Sequence, residues 1–253
     1  MKVATMFFLS SLVALPILFF SGCKDNNDSD PPKSHNLVLI KSYSTVIGEP
    51  SSVVFDVSGK YLWIVGGQKE RVYQTNLVGD IIQTLAYKGV DPEGIICDHR
   101  DSTLWVVEEY DRELVHLDTL GLELDRVQIP IEGNDNDGPE GAVFDDNNHL
   151  MILKEKLPSV AVEVDSTFKL IRQKEISFAD DVSDISWNPK TKTFFIVSDQ
   201  SRGVYEWTYD RGVINSYSLP ANKYEGIAID PISGLFYLVN NDLGTLDIFE
   251  LQK

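Results

Sequence analysis

The chain has little cysteine and little positive charge. Its 253 residues include 2 Cys, and 22 Lys and Arg stand against 39 Asp and Glu, which gives a formal net charge of −17. So negative a chain repels nucleic acid and attracts cations, which excludes nucleic-acid binding as a class of function. Cys23 is a predicted lipidation site, so Cys97 has no disulfide partner, and we expect Cys97 to be a small buried residue.

The sequence also lacks the motifs of several hydrolase classes. No Gly-x-Ser-x-Gly elbow occurs, and no Cys and His residues have zinc-binding spacing. The His residues fall outside the predicted site, which argues against a lactonase of the paraoxonase kind; they are His35, His99, His116 and His149.

Only one hydrophobic run is long, and it is at the N-terminus. Residues 1–22 contain an apolar stretch that ends in Ser21 and Gly22, directly before Cys23. Small residues before a Cys at this distance from the start predict a lipoprotein signal peptide and lipidation of Cys23. The polar residues 23–35 predict a flexible tether. We therefore expect a lipid-anchored protein of the cell envelope that faces the periplasm or the cell surface. The alternative, an uncleaved membrane helix, is disfavoured by the short apolar stretch.

The remaining residues, 36–253, contain a pattern that recurs throughout. Three copies read Glu-Gly-apolar, and two weaker copies begin with Ser. The first residues of the copies, which we call the start residues, are 42, 47, 43 and 42 residues apart; they are Ser51, Glu93, Glu140, Ser183 and Glu225. A period of this length, with short apolar runs between turn signals, is typical of a β-propeller.

Each copy contains the same succession of predicted strands. An apolar run follows the start residue, then come a turn rich in Asp, Asn, Pro and Gly, a second apolar run that ends in a polar pair, a third strand and, in most copies, a fourth. The last copy ends after three strands, and residues 37–40 with Tyr43 can supply the fourth beside residues 246–251. We therefore predict an all-β fold, a five-bladed β-propeller over 36–253 closed by an N-terminal strand. An open β-sandwich is the alternative, but it does not explain the repeated dipeptide.

A propeller brings the beginning of each first strand and the end of each second strand to one face, around the central channel. Carboxylates occupy both kinds of position, and they repel one another in a mouth of low dielectric constant. A hard divalent cation such as Ca²⁺, which takes six to eight oxygen ligands, would relieve that repulsion. We predict a calcium site with ligands from strand starts and strand ends, namely Glu93, Glu140, Glu225, Glu109, Glu155 and Asp199.

Other polar residues fall on the same predicted face. We expect Lys154, Arg202 and Ser183 to contact a small anionic ligand, and Lys154, Lys156 and Arg202 to neutralise carboxylates. A structural interpretation stays open for the Glu-Gly pairs: Glu would form hydrogen bonds with neighbouring backbone amides, and Gly would let blades approach closely.

The Asp- and Asn-rich turns fall on the opposite face, where we expect them to act only as turns. The loop 134–138 is expected to be a solvated turn rather than a calcium loop.

Several segments, taken in order, resemble the SdiA-regulated (YjiK-like) β-propeller family of bacterial envelope proteins. The resemblance covers about residues 46–253 and rests on Asp91-Pro92-Glu93-Gly94-Ile95, Pro139-Glu140-Gly141, Lys154-Glu155-Lys156-Leu157-Pro158, Asp181-Val182-Ser183, Ser198-Asp199-Gln200-Ser201-Arg202 and Glu225-Gly226-Ile227-Ala228-Ile229-Asp230. It implies a propeller that faces the periplasm or the cell surface and that in some members is linked to calcium, with no settled enzymatic reaction. The chain departs from the family's pattern at Tyr110, Asp184, Gln200 and Asn241, which implies a different or weaker ligand if those positions bind one.

Three classes of function are compatible with this pattern. The first is a calcium-binding lipoprotein propeller with a sensing, binding or scaffold role in the envelope. The second is a metal-dependent hydrolase, phytase-like or lactonase-like, in which the ion activates water. The third is a propeller that binds only a protein partner and whose carboxylates are structural. The sequence favours the first class, because acidic ligands are plentiful and no general base has a recognisable partner to orient it.

Overall fold

The structure, a computed structural model, describes residues 33–132, 137–220 and 223–252. The predicted signal peptide, the lipidation site Cys23 and the first part of the tether lie outside these residues, as do residues 133–136 of the loop before Glu140. The described chain forms twenty β-strands and one 3-10 helix, Gly67–Lys69, and contains no α-helix. The predicted all-β class is therefore confirmed.

Three of the sheets are four-stranded antiparallel meanders of consecutive strands. The first contains β2 (Pro50–Phe55), β3 (Leu62–Gly66), β4 (Arg71–Thr75) and β5 (Ile81–Lys88). The second contains β6 (Pro92–Cys97), β7 (Leu104–Glu108), β8 (Glu113–Leu117) and β9 (Glu123–Gln128). The third contains β10 (Pro139–Phe144), β11 (Leu150–Lys154), β12 (Val160–Val164) and β13 (Leu170–Glu175).

The fourth sheet has eight strands and joins two such meanders through the N-terminal strand. Its strands are β14 (Asp184–Asn188), β15 (Thr193–Ser198), β16 (Gly203–Thr208), β17 (Gly212–Ser218), β18 (Tyr224–Ile229), β19 (Phe236–Asn240), β20 (Thr245–Leu251) and β1 (Lys33–Ser44). Strand β1 runs antiparallel to β20, with Leu39 opposite Phe249, and its first four residues run parallel to β17. The predicted pairing of the N-terminal strand with the last strand is thus confirmed.

The hydrophobic core lies between neighbouring sheets. One cluster packs Trp63 and Val65 of the first meander against Ile95 and Val106 of the second. The middle strands β3, β7, β11, β15 and β19 are buried at every position, because each has a sheet packed on both faces. Their near-continuous apolar runs in the sequence are the direct consequence.

The first strands of the meanders contact one another in cyclic order. Strand β2 contacts β6, β6 contacts β10, β10 contacts β14, β14 contacts β18, and β18 contacts β2. Glycine makes this approach feasible: a Cβ on Gly94 would lie 2.4 Å from the carbonyl oxygen of Glu140, and a Cβ on Gly226 would lie 2.8 Å from the Cα of Ser52. The structural interpretation of the Glu-Gly pairs requires such a close approach between neighbouring first strands.

The structure also bears on membrane crossing by a helix. Over the ranges that it describes, no helix has the length and apolar character needed to span a bilayer.

Candidate metal centre

A cavity of about 250 Å³ opens where the first strands begin and the second strands end. We call it the acidic cavity. All six predicted carboxylate ligands line it, together with the start residues Ser51 and Ser183, and so do three residues that the sequence argument did not select. Its lining residues are Ser51, Glu93, Glu109, Glu140, Glu155, Asp181, Ser183, Asp199, Gln200, Lys223 and Glu225.

A β-bulge places four of the five start residues at the cavity. Pro92 pairs with Glu108 and Gly94 pairs with Val107, so Glu93 is the extra residue on its strand. The same shift occurs around Ser51, Glu140 and Glu225. A bulge re-aims a side chain out of the regular alternation, and here it turns the start residue toward the channel instead of into the space between sheets.

The strand ends supply the opposing carboxylates. Glu109, Glu155 and Asp199 each follow directly after the last residue of a second strand. Because first and second strands are antiparallel neighbours, the end of one lies beside the beginning of the other. Carboxylates that are 16 residues apart in the sequence, such as Glu93 and Glu109, therefore face the same cavity.

Two overlapping groups of carboxylates are close enough to hold a metal ion. One oxygen each from Glu109, Glu140 and Glu155 lie within 4.8 Å of one another, and the same holds for Asp91, Glu93 and Glu109. Glu109 belongs to both groups. The donor set is all oxygen, as hard divalent cations prefer.

The carboxyl groups of this cavity are hard to ionise without a counter-ion. Burial, and then the neighbouring carboxylates, raise the pKa of Glu140 well above its usual range. Burial is also the main cause that raises the pKa of Glu93 to about 8 and that of Glu225 to about 7, and it raises the pKa of Glu109. Each residue is at least partly enclosed, and the groups repel one another when they are charged. A bound cation would relieve both costs.

The opposite wall of the cavity carries a positive charge that the sequence argument missed. The Nζ of Lys223 lies 2.9 Å from Oδ2 of Asp199 and 3.2 Å from Oε1 of Glu225. Burial opposes ionisation of Asp199, but hydrogen bonds with Asp181 and Lys223 outweigh it and lower its pKa. Burial and the hydrogen bond to Asp199 raise the pKa of Asp181 to about 7. Asp199 is therefore the more acidic of the two, and it is the one that pairs with Lys223.

The site residues that the sequence argument missed share one position relative to the start residues. Asp91, Asp181 and Lys223 each lie two positions before a start residue, as does Glu49 before Ser51. Glu49, Asp91 and Lys223 have positive φ angles of 50°, 58° and 67°. The chain turns sharply there before β2, β6 and β18, and this turn brings the side chains of Asp91 and Lys223 back toward the carboxylates.

Lys154 and Arg202 do not line the acidic cavity. The amine of Lys154 is buried and donates to the carbonyl oxygens of Lys156 and Pro158, within the loop that follows β11. Arg202 is exposed and lies in the turn after β15, where its backbone N–H donates to the carbonyl oxygen of Asp199. The cation beside Glu155 is Lys156, which forms an ion pair with it.

A second cluster with metal-ligand chemistry lies away from the acidic cavity. One atom each of Asp145, His149 and Glu163 lie within 4.8 Å of one another. Glu163 is already engaged, because His149 Nδ1 lies 2.8 Å from one of its oxygens and Arg172 donates to the other at 2.5 Å. An arginine in this position competes with a metal ion, so the acidic cavity is the better candidate centre.

Comparison with models of protein families tests the family membership that the motifs indicate. The model of the SdiA-regulated family matches residues 31–241. The chain belongs to the SdiA-regulated family. The motifs around Glu93, Glu140, Asp199 and Glu225 all fall within the matched region.

Solved structures show the fold of this SdiA-regulated protein independently. A glutaminyl cyclase from Myxococcus xanthus is similar with a TM-score of 0.71 and 13% identity, over 88% of this chain and 99% of that one. A streptogramin B lyase matches with a TM-score of 0.51 and 15% identity, and a virginiamycin B lyase from Staphylococcus aureus with 0.51 and 14%. Both matches cover 80% of this chain but only 65% and 66% of the lyases. At such identities the likeness shows a propeller-like fold and nothing about activity.

Proposed function

We propose that this protein is a lipid-anchored β-propeller of five blades that binds a divalent cation, calcium, in its acidic cavity and has a sensing, binding or scaffold role in the cell envelope. The observation that carries the proposal is the convergence of seven carboxylates from four meanders on one cavity of about 250 Å³. In a chain with a net charge of −17, such a cavity attracts cations from a distance.

The cyclic order of contacts among the first strands supports the blade count. Each of β2, β6, β10, β14 and β18 contacts the next, and the last contacts the first. Five meanders around one axis account for this order if β1 completes the meander of β18, β19 and β20. The parallel pairing of β1 with β17 then ties the last two blades together.

The ligand chemistry favours Ca²⁺ on one side of the cavity. Glu109, Glu140 and Glu155 would hold the ion, and Glu93 with Asp91 lies close enough to add oxygen ligands. Ca²⁺ accepts six to eight oxygens in flexible geometry, which suits carboxylates delivered by separate strands. Asp199 and Glu225 face Lys223, so part of their charge is already balanced. We assign them to the outer shell of the site, where they can accept hydrogen bonds from cation-bound water.

The envelope location rests on the N-terminal sequence. Ser21 and Gly22 precede Cys23 directly, as in a lipoprotein processing site. The tether would then place the cation site within a short distance of the membrane surface. The natural partner of such a propeller would be a small anionic ligand that coordinates the ion, or a protein that binds only the calcium-bound form.

Two experiments test the two parts of this proposal separately. Protein purified without chelator should contain calcium by elemental analysis, and dialysis against a chelator should remove it. Protein that holds no divalent cation, and takes none up from added calcium, would refute the cation site. Labelling cells with a palmitate analogue should mark the wild type and leave Cys23→Ala unmarked; equal labelling of both would refute the lipid anchor.

A further inference from the structure

A second, larger cavity of about 420 Å³ lies at the other ends of the first strands. We call it the apolar cavity. In four of the first strands, the start residue lines the acidic cavity and the residue three positions later lines the apolar one; these later residues are Val54, Val143, Ser186 and Ala228. The two cavities therefore lie one behind the other along the same channel, with the middle of each first strand between them.

Aromatic rings and aliphatic side chains form most of the inner surface of the apolar cavity. Phe55, Phe144 and Trp187 contribute the rings, and Ile229 and Ile232 add aliphatic surface. Phe55 and Phe144 are each 8% exposed, and Ile232 is 85% exposed at the rim. A pocket of a few hundred Å³ with an apolar lining and a few polar groups is the usual form of a small-molecule site.

Among the described residues, two carboxylates at the rim of the apolar cavity, those of Asp56 and Asp145, have no Lys or Arg partner. Asp56 accepts hydrogen bonds from Ser58 and from backbone N–H groups of its own turn, and Asp145 does the same in the equivalent turn of another meander. Within the described residues, neither carboxylate forms an ion pair with Lys or Arg. Asp146 differs, because Lys192 pairs with it. Lys190 also reaches this rim, where its Nζ donates to the carbonyl oxygen of Ile232 at 2.9 Å, so the negative charge at the rim comes from Asp56 and Asp145.

Arg100 already lies over one face of the Phe144 ring, so that face is not open to a ligand cation. The guanidinium carbon of Arg100 lies 4.8 Å from the centroid of the Phe144 ring. Trp187 is half-buried, and its indole N–H is engaged with Asp146 at 2.8 Å, which fixes the orientation of the ring. An aromatic face next to a carboxylate attracts an ammonium group by cation–π and Coulomb interactions together.

We propose that the apolar cavity binds a small organic cation, a molecule with one ammonium group on an aromatic or aliphatic body. The body packs against Phe55, Phe144 and Ile229, and the ammonium group faces Asp56 and Asp145 at the rim. A neutral molecule of the same shape gains only the apolar contact, and an anion is repelled by the rim and by the net charge of the chain. The turns at this face, which the sequence predicts to act only as turns, thereby acquire a role in binding.

A matched pair of probes tests this proposal on the intact protein. Isothermal titration calorimetry would be used to titrate the protein with 3-phenylpropylammonium and, in parallel, with the neutral 3-phenylpropanol. We expect the ammonium to bind about tenfold more tightly than the alcohol, which corresponds to one charge-assisted contact. Chelator should leave both affinities unchanged, because the acidic cavity is separate. Equal binding of the two probes, or binding of neither, would overturn the proposal.

Two variants test whether Asp145 supplies the charge that binds the ammonium group. Asp145→Asn keeps an acceptor for the turn and removes the charge, so it should weaken binding of the ammonium about fivefold and leave the alcohol unaffected. Asp165→Asn is the matched control, because Asp165 accepts the same backbone hydrogen bonds, from residues two and four positions later, in a turn outside the cavity. An equal loss in both variants would place the cation elsewhere and contradict the assignment.

Discussion

Ser52 and Asp184, 132 residues apart in the chain, are joined by a hydrogen bond in which the Ser52 hydroxyl donates to Asp184 Oδ2 at 3.0 Å. Asp184 also accepts the backbone N–H groups of Ile227 and Ile185, and Ser52 Oγ accepts that of Ile95. This connected group links β2, β6, β14 and β18. It lies between the acidic and apolar cavities, since Ser51 and Ser183 line the first and Val54 and Ser186 the second.

Removal of the Asp184 carboxyl should therefore destabilise the whole domain. In Asp184→Ala, the N–H groups of Ile227 and Ile185 and the hydroxyl of Ser52 lose a buried acceptor, so we expect a loss of about 3 kcal/mol or more in the free energy of unfolding. Asp184→Asn keeps one acceptor oxygen and should lose less. Urea unfolding measures both variants. A loss below about 1 kcal/mol for the Ala variant would show that this bonded group is not a structural centre.

The close approach of neighbouring first strands predicts a second effect. In Gly94→Ala, the new Cβ would lie 2.4 Å from the backbone carbonyl of Glu140, which cannot rotate away. We expect a destabilisation of about 1–3 kcal/mol, as for other overpacked sites. Gly67→Ala is the matched control, because its Cβ would have no neighbour closer than 3.6 Å. Equal stability of the two variants would contradict the close packing of β6 on β10.

The fold could be predicted from the sequence because its determinants are local and repeated. A start residue followed by an apolar run correctly predicts β2, β6, β10, β14 and β18, and the truncated last copy correctly predicts that β1 pairs with β20. The parallel contact between β1 and β17 was not predicted. No repeated pattern precedes Leu37, so nothing in the sequence indicates what its first residues pair with.

The site could be predicted only in part. Repetition identifies the carboxylates at strand starts and ends, which do line one cavity. The same reasoning did not find Lys223 or Asp181, because the residue two positions before each start residue is not conserved in type between the copies. It also placed Lys154 at the site, whereas the chain after β11 folds back and supplies carbonyl oxygens to its amine. Such irregular turns are set by individual contacts, which a repeat does not encode.

The raised pKa values predict how the stability of the calcium-free protein depends on pH. Glu140, Glu93 and Glu225 have higher pKa values in the folded state than in the unfolded chain, so the folded state binds more protons between about pH 4.5 and pH 8. Stability is then fully present below the unfolded value and is lost as pH rises through the folded values. In chelator, the melting temperature should fall by about 5 °C or more from pH 5.5 to pH 8.5.

One substitution tests the origin of that pH dependence. Glu140→Gln removes the most strongly shifted of these groups, so the decrease in melting temperature between pH 5.5 and pH 8.5 should be smaller than in the wild type. Glu175→Gln, at an exposed position of β13, should leave the decrease unchanged. A melting temperature in chelator that rises over this range, or the same decrease in all three proteins, would refute the effect of the clustered carboxylates.

The most direct test of the cation site is calorimetric unfolding of the wild type and of Glu140→Gln, each with calcium and with chelator. If Glu109, Glu140 and Glu155 hold the ion, the melting temperature of the wild type should rise as calcium exceeds its Kd, because the ion binds only the folded state. Glu140→Gln should keep its fold in chelator and respond much less to calcium. If the Glu-Gly pairs serve only to hold neighbouring strands together, the melting temperature of the wild type should instead not depend on calcium. The free energy of unfolding of Glu140→Gln should then be lower by about 1.5–3 kcal/mol without any metal. A wild type whose melting temperature is indifferent to both calcium and magnesium would contradict the proposed metal centre.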